Sequence, residues 1–192
     1  MSTPTPEDDA LVARGYTQRE AAFLRLVAHH GGYFIRRHYG DFIGRAHGDT
    51  TTRFLDKLVD RGDATVQTFC RSTRVLHLAP RSLYEDAGVS GEPSQRRRRP
   101  VFGITPRLMA VDFVVAHPTW TFLGTDEDRL TWCDQMGIDR VWIPEKRYGR
   151  KNGAPMSVRR FVDCGPVAVV ETPSGKTLVV AHVDDAGATG VA

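Results

Sequence analysis

The spacing of apolar residues changes at Gly62 from a helical period to a strand period, and this change most limits the folds open to the chain. Before Gly62 the apolar residues recur three or four positions apart, which is typical of amphipathic helices. The pattern predicts three helices, over about residues 17–30, 36–43 and 50–61. After Gly62, residues 64–69 and 73–78 are rich in Thr and Val and flank a polar turn, which predicts a β-hairpin.

Capping residues mark the ends of these helices. Thr17 followed three residues later by Glu20 is a capping box, in which the hydroxyl and the carboxylate each bind a free backbone N–H. Gly31 and Gly32 are expected to end the first helix, and Asp49 is expected to cap the third.

The C-terminal half has helix signals followed by strand signals. One helix is predicted over residues 106–117, with Pro106 in its first turn, and a second over residues 126–136, capped by Thr125. Strands are predicted over residues 140–143, 158–163, 166–172 and 177–183. A turn signal joins the last two strands, so this half is expected to be α+β with an antiparallel sheet.

Changes of composition and charge divide the chain of 192 residues. The predicted parts are a mobile tail at 1–13, a domain of three helices and a hairpin at 14–87, a basic linker at 88–100 and a small α+β domain at 101–192.

The formal charge is spread unevenly over these parts. Residues 1–13 carry −3, residues 14–99 carry +7 and residues 100–192 carry −1, which gives the net charge of +3. A basic segment joined to a neutral one is typical of a protein in which one half meets a polyanion. A generally arginine-rich composition also makes chains basic, so charge alone leaves both explanations open.

The order of three helices and a hairpin over residues 17–78 resembles the winged helix-turn-helix superfamily. The resemblance also rests on the run 52–66, in which an apolar pair at the end of the third helix is followed by Arg61, Gly62 and the first strand. It implies an N-terminal fold of three helices plus a β-hairpin wing, with double-stranded DNA as the partner. In such domains the recognition helix lies in the major groove.

The third helix and its neighbours carry residue types that suit DNA. Base contacts are expected from Thr50, Thr51, Arg53 and Lys57, since an arginine can bond two acceptors of guanine. Thr51 or Thr52, near the helix N-terminus, can instead meet a phosphate oxygen. Phosphate contacts are expected from Arg36, Arg37 and Arg45. Arg71 and Arg74, which flank the hairpin turn, are expected either to enter a neighbouring groove or to contact the DNA backbone. The alternative is that these charges form a solvated face.

Four consecutive arginines occupy the predicted linker: Arg96, Arg97, Arg98 and Arg99. A flexible run of this kind binds phosphate non-specifically and with a steep salt dependence. A solvated linker and a protein docking segment are the alternatives. A flexible run has no fixed geometry, so it is not expected to select a DNA sequence.

The familiar catalytic and metal-binding patterns are missing from the sequence. The seven histidines lack the spacing H-E-x-x-H, and the three cysteines lack C-x-x-C and are too scattered for a disulfide framework. His77 and His117 lie among apolar neighbours and are expected to be packed or surface residues. The prediction is therefore a protein that is not an enzyme and has no metal or cofactor.

One enzymatic alternative stays open. Asp163 and the strands predicted at 166–172 and 177–183 resemble the strand core of restriction-type nucleases, where an acid and a later Glu-x-Lys hold magnesium. The second strand here continues through Asp184 and Asp185 without Glu-x-Lys. The combined layout also resembles the replication-relaxation proteins of mobile elements, which implies a replication accessory role. A purely structural sheet is the preferred interpretation.

Five large aromatic residues lie close together in the C-terminal half: Trp120, Phe122, Trp132, Trp142 and Tyr148. Such residues either fill a core or anchor an interface. This half is therefore predicted to mediate homodimerisation or contact with a protein partner, and the sequence does not decide between them.

The N-terminus is acidic rather than basic and apolar, and no apolar run reaches the roughly 18 residues of a membrane helix, so we expect a cytoplasmic protein without a membrane partner. The resulting hypothesis is a sequence-specific double-stranded DNA-binding protein, a repressor-like transcriptional regulator of a bacterium or mobile element. A protein-interaction adaptor, or a replication or nuclease accessory protein with a degenerate active site, is the alternative.

Overall fold

The fold is α+β, as predicted, and the chain divides into two compact units between Pro118 and Thr119. The structure is a computed structural model. It describes residues 6–44, 48–69, 73–89, 93–143, 145–148, 157–161 and 165–182. None of the described helices is both long enough and apolar enough to cross a membrane.

The first unit contains the three predicted helices and the hairpin, with further elements around them. Its elements are α1 (Pro6–Ala13), α2 (Gln18–His29), β1 (Tyr33–Ile35), α3 (Arg36–Phe42), α4 (Asp49–Asp60), β2 (Ala64–Phe69), β3 (Thr73–Leu78), α5 (Arg81–Asp86), α6 (Pro93–Arg96) and α7 (Val101–Ala116). The two hairpin strands have the predicted bounds.

The capping box at the start of α2 is confirmed. The Glu20 N–H donates to Thr17 Oγ1 at 3.3 Å, and the Thr17 N–H donates to Glu20 Oε2 at 2.8 Å. Gly32 follows α2 with a φ of +76°, and a Cβ there would lie 2.0 Å from Tyr84 Oη, so only glycine fits. The predicted cap of α4 is wrong, because Gly48 holds the cap position and Asp49 is the first helical residue.

The prediction of a mobile tail over residues 1–13 is wrong for Pro6–Ala13, which form α1. Leu11 on this helix is fully buried in the core. Apolar packing of this side chain explains why a segment rich in proline and acid nevertheless forms a helix.

Strand β1 was not predicted, and it completes an antiparallel sheet in the order β1-β3-β2. His77 on β3 lies opposite Tyr33 on β1 and Thr65 on β2. One face of the sheet contributes Leu76 and Leu78 to the core formed with α2 and α4. The opposite face, which carries Tyr33 and His77, is here called the outer sheet face.

Helix α7 covers part of the outer sheet face. Ile104 on α7 is buried against Tyr33 and Val75, and Arg37 Nη2 on α3 lies 2.8 Å from Asp112 Oδ1 on α7. The helix begins at Val101, so Pro106 lies inside it and not in its first turn as predicted. Burial of Ile104 offsets the backbone hydrogen bond that a proline removes. Residues 101–118 therefore belong to the first unit, and the structure divides the chain after the predicted linker 88–100.

The second unit begins with β4 and ends, among the described residues, at a hairpin. Its elements are β4 (Thr121–Phe122), α8 (Asp126–Gln135), a 3₁₀ turn (Arg140–Trp142), β5 (Glu145–Tyr148), β6 (Ser157–Arg160), β7 (Val167–Thr172) and β8 (Gly175–Val180). Strands β4, β7 and β8 form one antiparallel sheet, and β5 pairs with β6 in another.

Two local sequence signals of this unit are confirmed, and one predicted strand is wrong. The Thr125 cap of α8 is confirmed, since Thr125 Oγ1 accepts from the Asp128 N–H at 3.0 Å. The hairpin of β7 and β8 is confirmed as well. The strand predicted at 140–143 is wrong, because Asp139 Oδ1 accepts from the Val141 N–H at 3.0 Å and starts a 3₁₀ turn instead.

Candidate nucleic-acid interface

Helix α4 presents one face to solvent because its apolar residues hold the other face in the core. Phe54 and Leu58 are buried, whereas Thr50 and Arg53 are exposed. The Arg53 side chain is 80% exposed, and its Nη2 donates to Asp49 Oδ2 at 3.1 Å. An exposed pair one helical turn apart is weak, so the guanidinium stays available to another acceptor. Thr50 and Arg53 therefore both lie on the solvent-exposed face of α4.

Thr51 does not belong to this face. Its exposure is 3%, and it lies three and seven residues before Phe54 and Leu58, on the buried side of the helix. The expectation that Thr51 reaches DNA bases is therefore wrong. Its neighbour Thr52 is half-buried and Thr50 is exposed, so Thr50 is the more accessible of the two.

Lys57 is held against the body of the first unit. Its Nζ lies 2.7 Å from Glu20 Oε2 at the start of α2 and 4.7 Å from the centre of the Tyr16 ring. An ammonium over an aromatic face and beside a carboxylate is stabilised by both. Lys57 therefore joins α4 to α2, and its position does not match a free base-contacting side chain.

The two arginines of α3 also divide into an accessible one and one that is engaged in an ion pair. Arg36 is exposed. Arg37 is bonded to Asp112 at 2.8 Å and lies 3.6 Å from Asp41, so its charge is already neutralised in part. His38 Nε2 lies 2.9 Å from the same Asp112 carboxylate, and burial lowers the pKa of His38 despite that negative charge.

Arg74, which is predicted to contact DNA, lies exposed near the start of β3. Arg45 and Arg71, the other predicted contacts near the turns, lie outside the described residues.

A buried carboxylate fixes the turn between α4 and β2. Asp63 accepts from Arg14 Nη2 at 2.7 Å and from Tyr16 Oη at 2.5 Å, and Arg61 Nε lies 3.6 Å away. Burial alone would raise the pKa of Asp63, but the Arg14 and Tyr16 hydrogen bonds outweigh it and the pKa lies below its ordinary value. Asp63 therefore ties the start of the hairpin to the segment between α1 and α2.

The run of four arginines predicted to form a flexible linker contacts the outer sheet face through its last two residues. The Arg99 backbone N–H donates to Tyr33 Oη at 2.8 Å, and Arg98 Nη2 donates to Thr65 Oγ1 at 3.4 Å. The Arg97 and Arg98 side chains stay exposed, and Arg96 is half-buried. The run therefore has a defined position, contrary to the expectation of a segment without fixed geometry.

A cavity of about 510 Å³, open to solvent over much of its boundary, lies between this run and the sheet. It is here called the arginine cavity. The residues that line it are Thr65, His77, Ala79, Arg96, Arg97 and Arg98.

His77 forms the buried wall of the arginine cavity. It is 4% exposed and its ring stacks on Tyr33 with the centres 4.2 Å apart, which confirms it as a packed histidine. Burial and the positive charge of Arg98 lower the pKa of His77 to about 4. Sequence reasoning missed this cavity because β1 was missed. The alternation of β2 and β3 does place Thr65 and His77 on one face, which is the signal that could have found it.

The arrangement of the described residues gives no metal centre: no three His, Cys, Asp or Glu side chains among them are grouped to hold an ion. Cys133 is buried on α8, and burial raises the pKa of its thiol, which does not favour a nucleophile. Asp163, Asp184 and Asp185, which carry the nuclease resemblance, lie outside the described residues.

The aromatic residues of the second unit separate into packed and exposed ones. Trp132 packs partly buried beside Cys133, and Trp120 stacks on Phe122 with the ring centres 6.4 Å apart. Trp142 is 80% exposed. A tryptophan this exposed in a folded unit is a candidate interface anchor. The Tyr148 side chain lies outside the described set.

No protein-family model, curated protein or solved structure matches the chain.

Proposed function

We propose that the protein binds double-stranded DNA sequence-specifically through the exposed face of α4 and acts as a repressor-like transcriptional regulator. The observation that carries the proposal is the order α2, β1, α3, α4, β2, β3 with β1 paired to β3, so that two consecutive helices precede a hairpin anchored to the same sheet. This arrangement supports the resemblance to the winged helix-turn-helix superfamily. In that superfamily the helix before the hairpin enters the major groove.

The accessible side chains define a contact set smaller than the sequence predicted. Arg53 is the base-contacting residue, with Thr50 beside it, because both are exposed on the first two turns of α4. Arg36 and Arg74 are exposed on either side of α4 in the chain and contact phosphates. Arg45 and Arg71 remain predicted contacts of the same kind.

The second unit supplies the dimer contact in this proposal. DNA-binding domains with a recognition helix gain specificity when two copies occupy two half-sites. Trp142 and its neighbour Val141 are 80% and 76% exposed, and adjacent apolar residues of this size are suited to pack against a second copy.

A protein-interaction adaptor is the second candidate, and one observation favours it. The exposed face of α4 carries Asp49, Asp56 and Asp60 as well as Arg53. Carboxylates repel phosphate, whereas a face of mixed charge suits a protein partner. A replication or nuclease accessory role is kept as an outcome of the test below.

The test is selection of DNA fragments by the full chain, followed by measurement of Kd for the selected fragment at two salt concentrations. Arg53→Ala is expected to weaken binding by about 1–3 kcal/mol and to relax one base preference. Arg81→Ala is the matched control, because Arg81 is also exposed and also pairs with a carboxylate one turn away, on α5. The control is expected to leave the base preference unchanged.

Three results would contradict the proposal. The first is absence of any retained fragment at low salt, and the second is an Arg53→Ala protein that binds the selected fragment as tightly as wild type. The third is cleavage of the fragment when magnesium or manganese is added, provided that cleavage is lost in Asp163→Ala; this result would favour the nuclease alternative.

A further inference from the structure

The arginine cavity carries a concentration of positive charge without a compensating carboxylate. Three of the described residues that line it are arginines, and none is Asp or Glu. Among the described residues, Arg96, Arg97 and Arg98 form no ion pair, whereas Arg37, Arg53 and Lys57 each do. Guanidinium groups brought to one concave site repel each other, and an anion placed between them removes that repulsion.

A second observation concerns the wall of the cavity. His77 Nε2 is buried without a close hydrogen-bond partner among the described residues, and the backbone of Arg96 is the polar group that acts on the ring. A buried polar atom without a partner is costly, so such an atom in a cavity wall marks a position where a ligand can supply the missing bond. The phosphate group offers both an acceptor oxygen and, when singly charged, a hydroxyl donor. The Thr65 hydroxyl is a further polar group on the same wall.

The place of the cavity in the fold separates it from the proposed DNA face. Thr65 is the second residue of β2, near the end of α4, and the hairpin turn follows Phe69 at the other end of the strand. The four-residue rise from Thr65 to Phe69 is roughly 13 Å along the strand. Arg53 lies about two helical turns before the end of α4. The cavity therefore lies at the base of the hairpin, away from Arg53 and Arg74, although its arginines are themselves predicted to contact phosphate.

We propose that the arginine cavity binds a small phosphate-bearing anion, with the phosphate held by Arg96, Arg97 and Arg98 and by the Thr65 and His77 side chains. The volume of about 510 Å³ is within the range of small-molecule sites and exceeds what a single phosphate ion fills, so the ligand class is a phosphorylated metabolite or nucleotide. The inference is independent of DNA binding. Where DNA binding holds, an anion at the base of the hairpin is placed to act as an effector.

The test is isothermal titration calorimetry of the full chain with four probes: inorganic phosphate, pyrophosphate, adenosine 5′-diphosphate and adenosine. Saturable binding is expected for pyrophosphate and the diphosphate, and none for adenosine. A diphosphate that binds more tightly than pyrophosphate indicates that the organic part is also recognised. An equal affinity indicates that the phosphates alone are recognised, and both results agree with the proposal.

Two variants locate the binding. The double variant Arg97→Gln/Arg98→Gln changes only exposed side chains and is expected to raise the Kd for pyrophosphate about tenfold or more. His77→Phe keeps an aromatic ring on Tyr33 and removes the Nε2 atom, and the expected increase in Kd is about fivefold. Arg53→Gln is the control for general charge loss and is expected to leave the Kd for pyrophosphate unchanged.

The proposal is overturned by any of three outcomes. These are no saturation at millimolar pyrophosphate, wild-type affinity in the double variant, and an equal loss in Arg53→Gln. Measuring DNA binding by the same variants distinguishes a small-anion site from a contact with the DNA backbone. If the double variant loses DNA binding as strongly as pyrophosphate binding and the two ligands exclude each other, the arginines contact the DNA backbone and the small-anion site is rejected.

Discussion

Lys57 Nζ lies 2.7 Å from Glu20 Oε2, and this ion pair joins the last turn of α4 to the first turn of α2. Arg53, one turn earlier on the same helix, has an 80% exposed side chain. The sequence places both residues on one helical face, but only Arg53 remains open to a ligand. The two basic residues of α4 are therefore expected to serve different purposes, one in stability and the other in binding.

Lys57→Ala should destabilise the fold without changing base preference. The variant removes a partly buried ion pair and the contact with the Tyr16 ring, so a loss of about 1–2 kcal/mol in the free energy of unfolding is expected. Urea denaturation measures this loss, and titration of the selected DNA fragment measures binding. The role assigned to Lys57 is wrong if Lys57→Ala relaxes base preference as Arg53→Ala does while its stability is unchanged.

Asp63→Ala should be among the most destabilising single changes in the first unit. It leaves Tyr16 Oη without its acceptor and Arg14 without its shorter ion pair, and breaking a buried pair costs about 3 kcal/mol. Asp86→Ala is the matched control, because Asp86 binds the same arginine at 2.9 Å but is 31% exposed. Its expected cost is below about 1 kcal/mol. Equal losses in the two variants would show that Asp63 does not anchor the hairpin.

Stability should fall as the pH is lowered from about 6.5 to about 4, and His77 is one cause. In the folded protein, the pKa of His77 is lowered from 6.5 to about 4, mainly by burial and also by the positive charge of Arg98. Between these values the unfolded chain binds a proton that the folded chain does not, so acid favours unfolding. Above pH 6.5 the ring is neutral in both states and His77 does not reduce stability. By pH 4 its titration has lowered the free energy of unfolding by an amount on the order of 3 kcal/mol.

The variant His77→Phe isolates this effect. It keeps a ring stacked on Tyr33 and cannot titrate, so the slope of unfolding free energy against pH should decrease in this window. A residual slope is expected from His38, whose pKa is also lowered by burial. Chemical denaturation at a series of pH values measures the slope. An unchanged slope in His77→Phe would mean that His77 is protonated normally in the folded protein.

Trp142→Ala should shift the protein from dimer to monomer. The exposed indole and Val141 form the proposed contact with a second copy. Multi-angle light scattering over a range of protein concentrations measures the mass directly. Phe102→Ala is the control, since Phe102 is 76% exposed on α7 in the first unit and no dimer role is proposed for it. A wild-type protein that is monomeric at every concentration would contradict the dimer proposal.

The elements that could be predicted from the sequence are those with a local signal. The Thr17–Glu20 capping box, the Thr125 cap and the two hairpins each depend on residues within a few positions, and all four are present. Strand β1 was missed because three residues give too short a pattern, and its partner β3 lies about forty residues later. The pairing of strands so far apart in the chain cannot be predicted from the residues next to either strand.

The candidate site was predicted in part for the same reason. Helical spacing places Arg53 and Thr50 on the exposed face, and it also places Thr51 toward the core, which the sequence interpretation overlooked. The engagement of Lys57 depends on Glu20 and Tyr16 in other segments, which spacing within α4 cannot show. The four arginines have the composition of a linker. Their position is set by Tyr33 and by Thr65, two residues far away in sequence.

The contacts of the arginine run have a consequence for proteolysis. Trypsin cuts after arginine, and four adjacent arginines in a free segment would be its first target. Because the Arg99 N–H is bonded to Tyr33 and Arg98 to Thr65, this stretch must leave the sheet before a protease can bind it in extended form. The rate of cleavage there thus measures how often the outer sheet face opens, and an anion bound to the arginines should slow it.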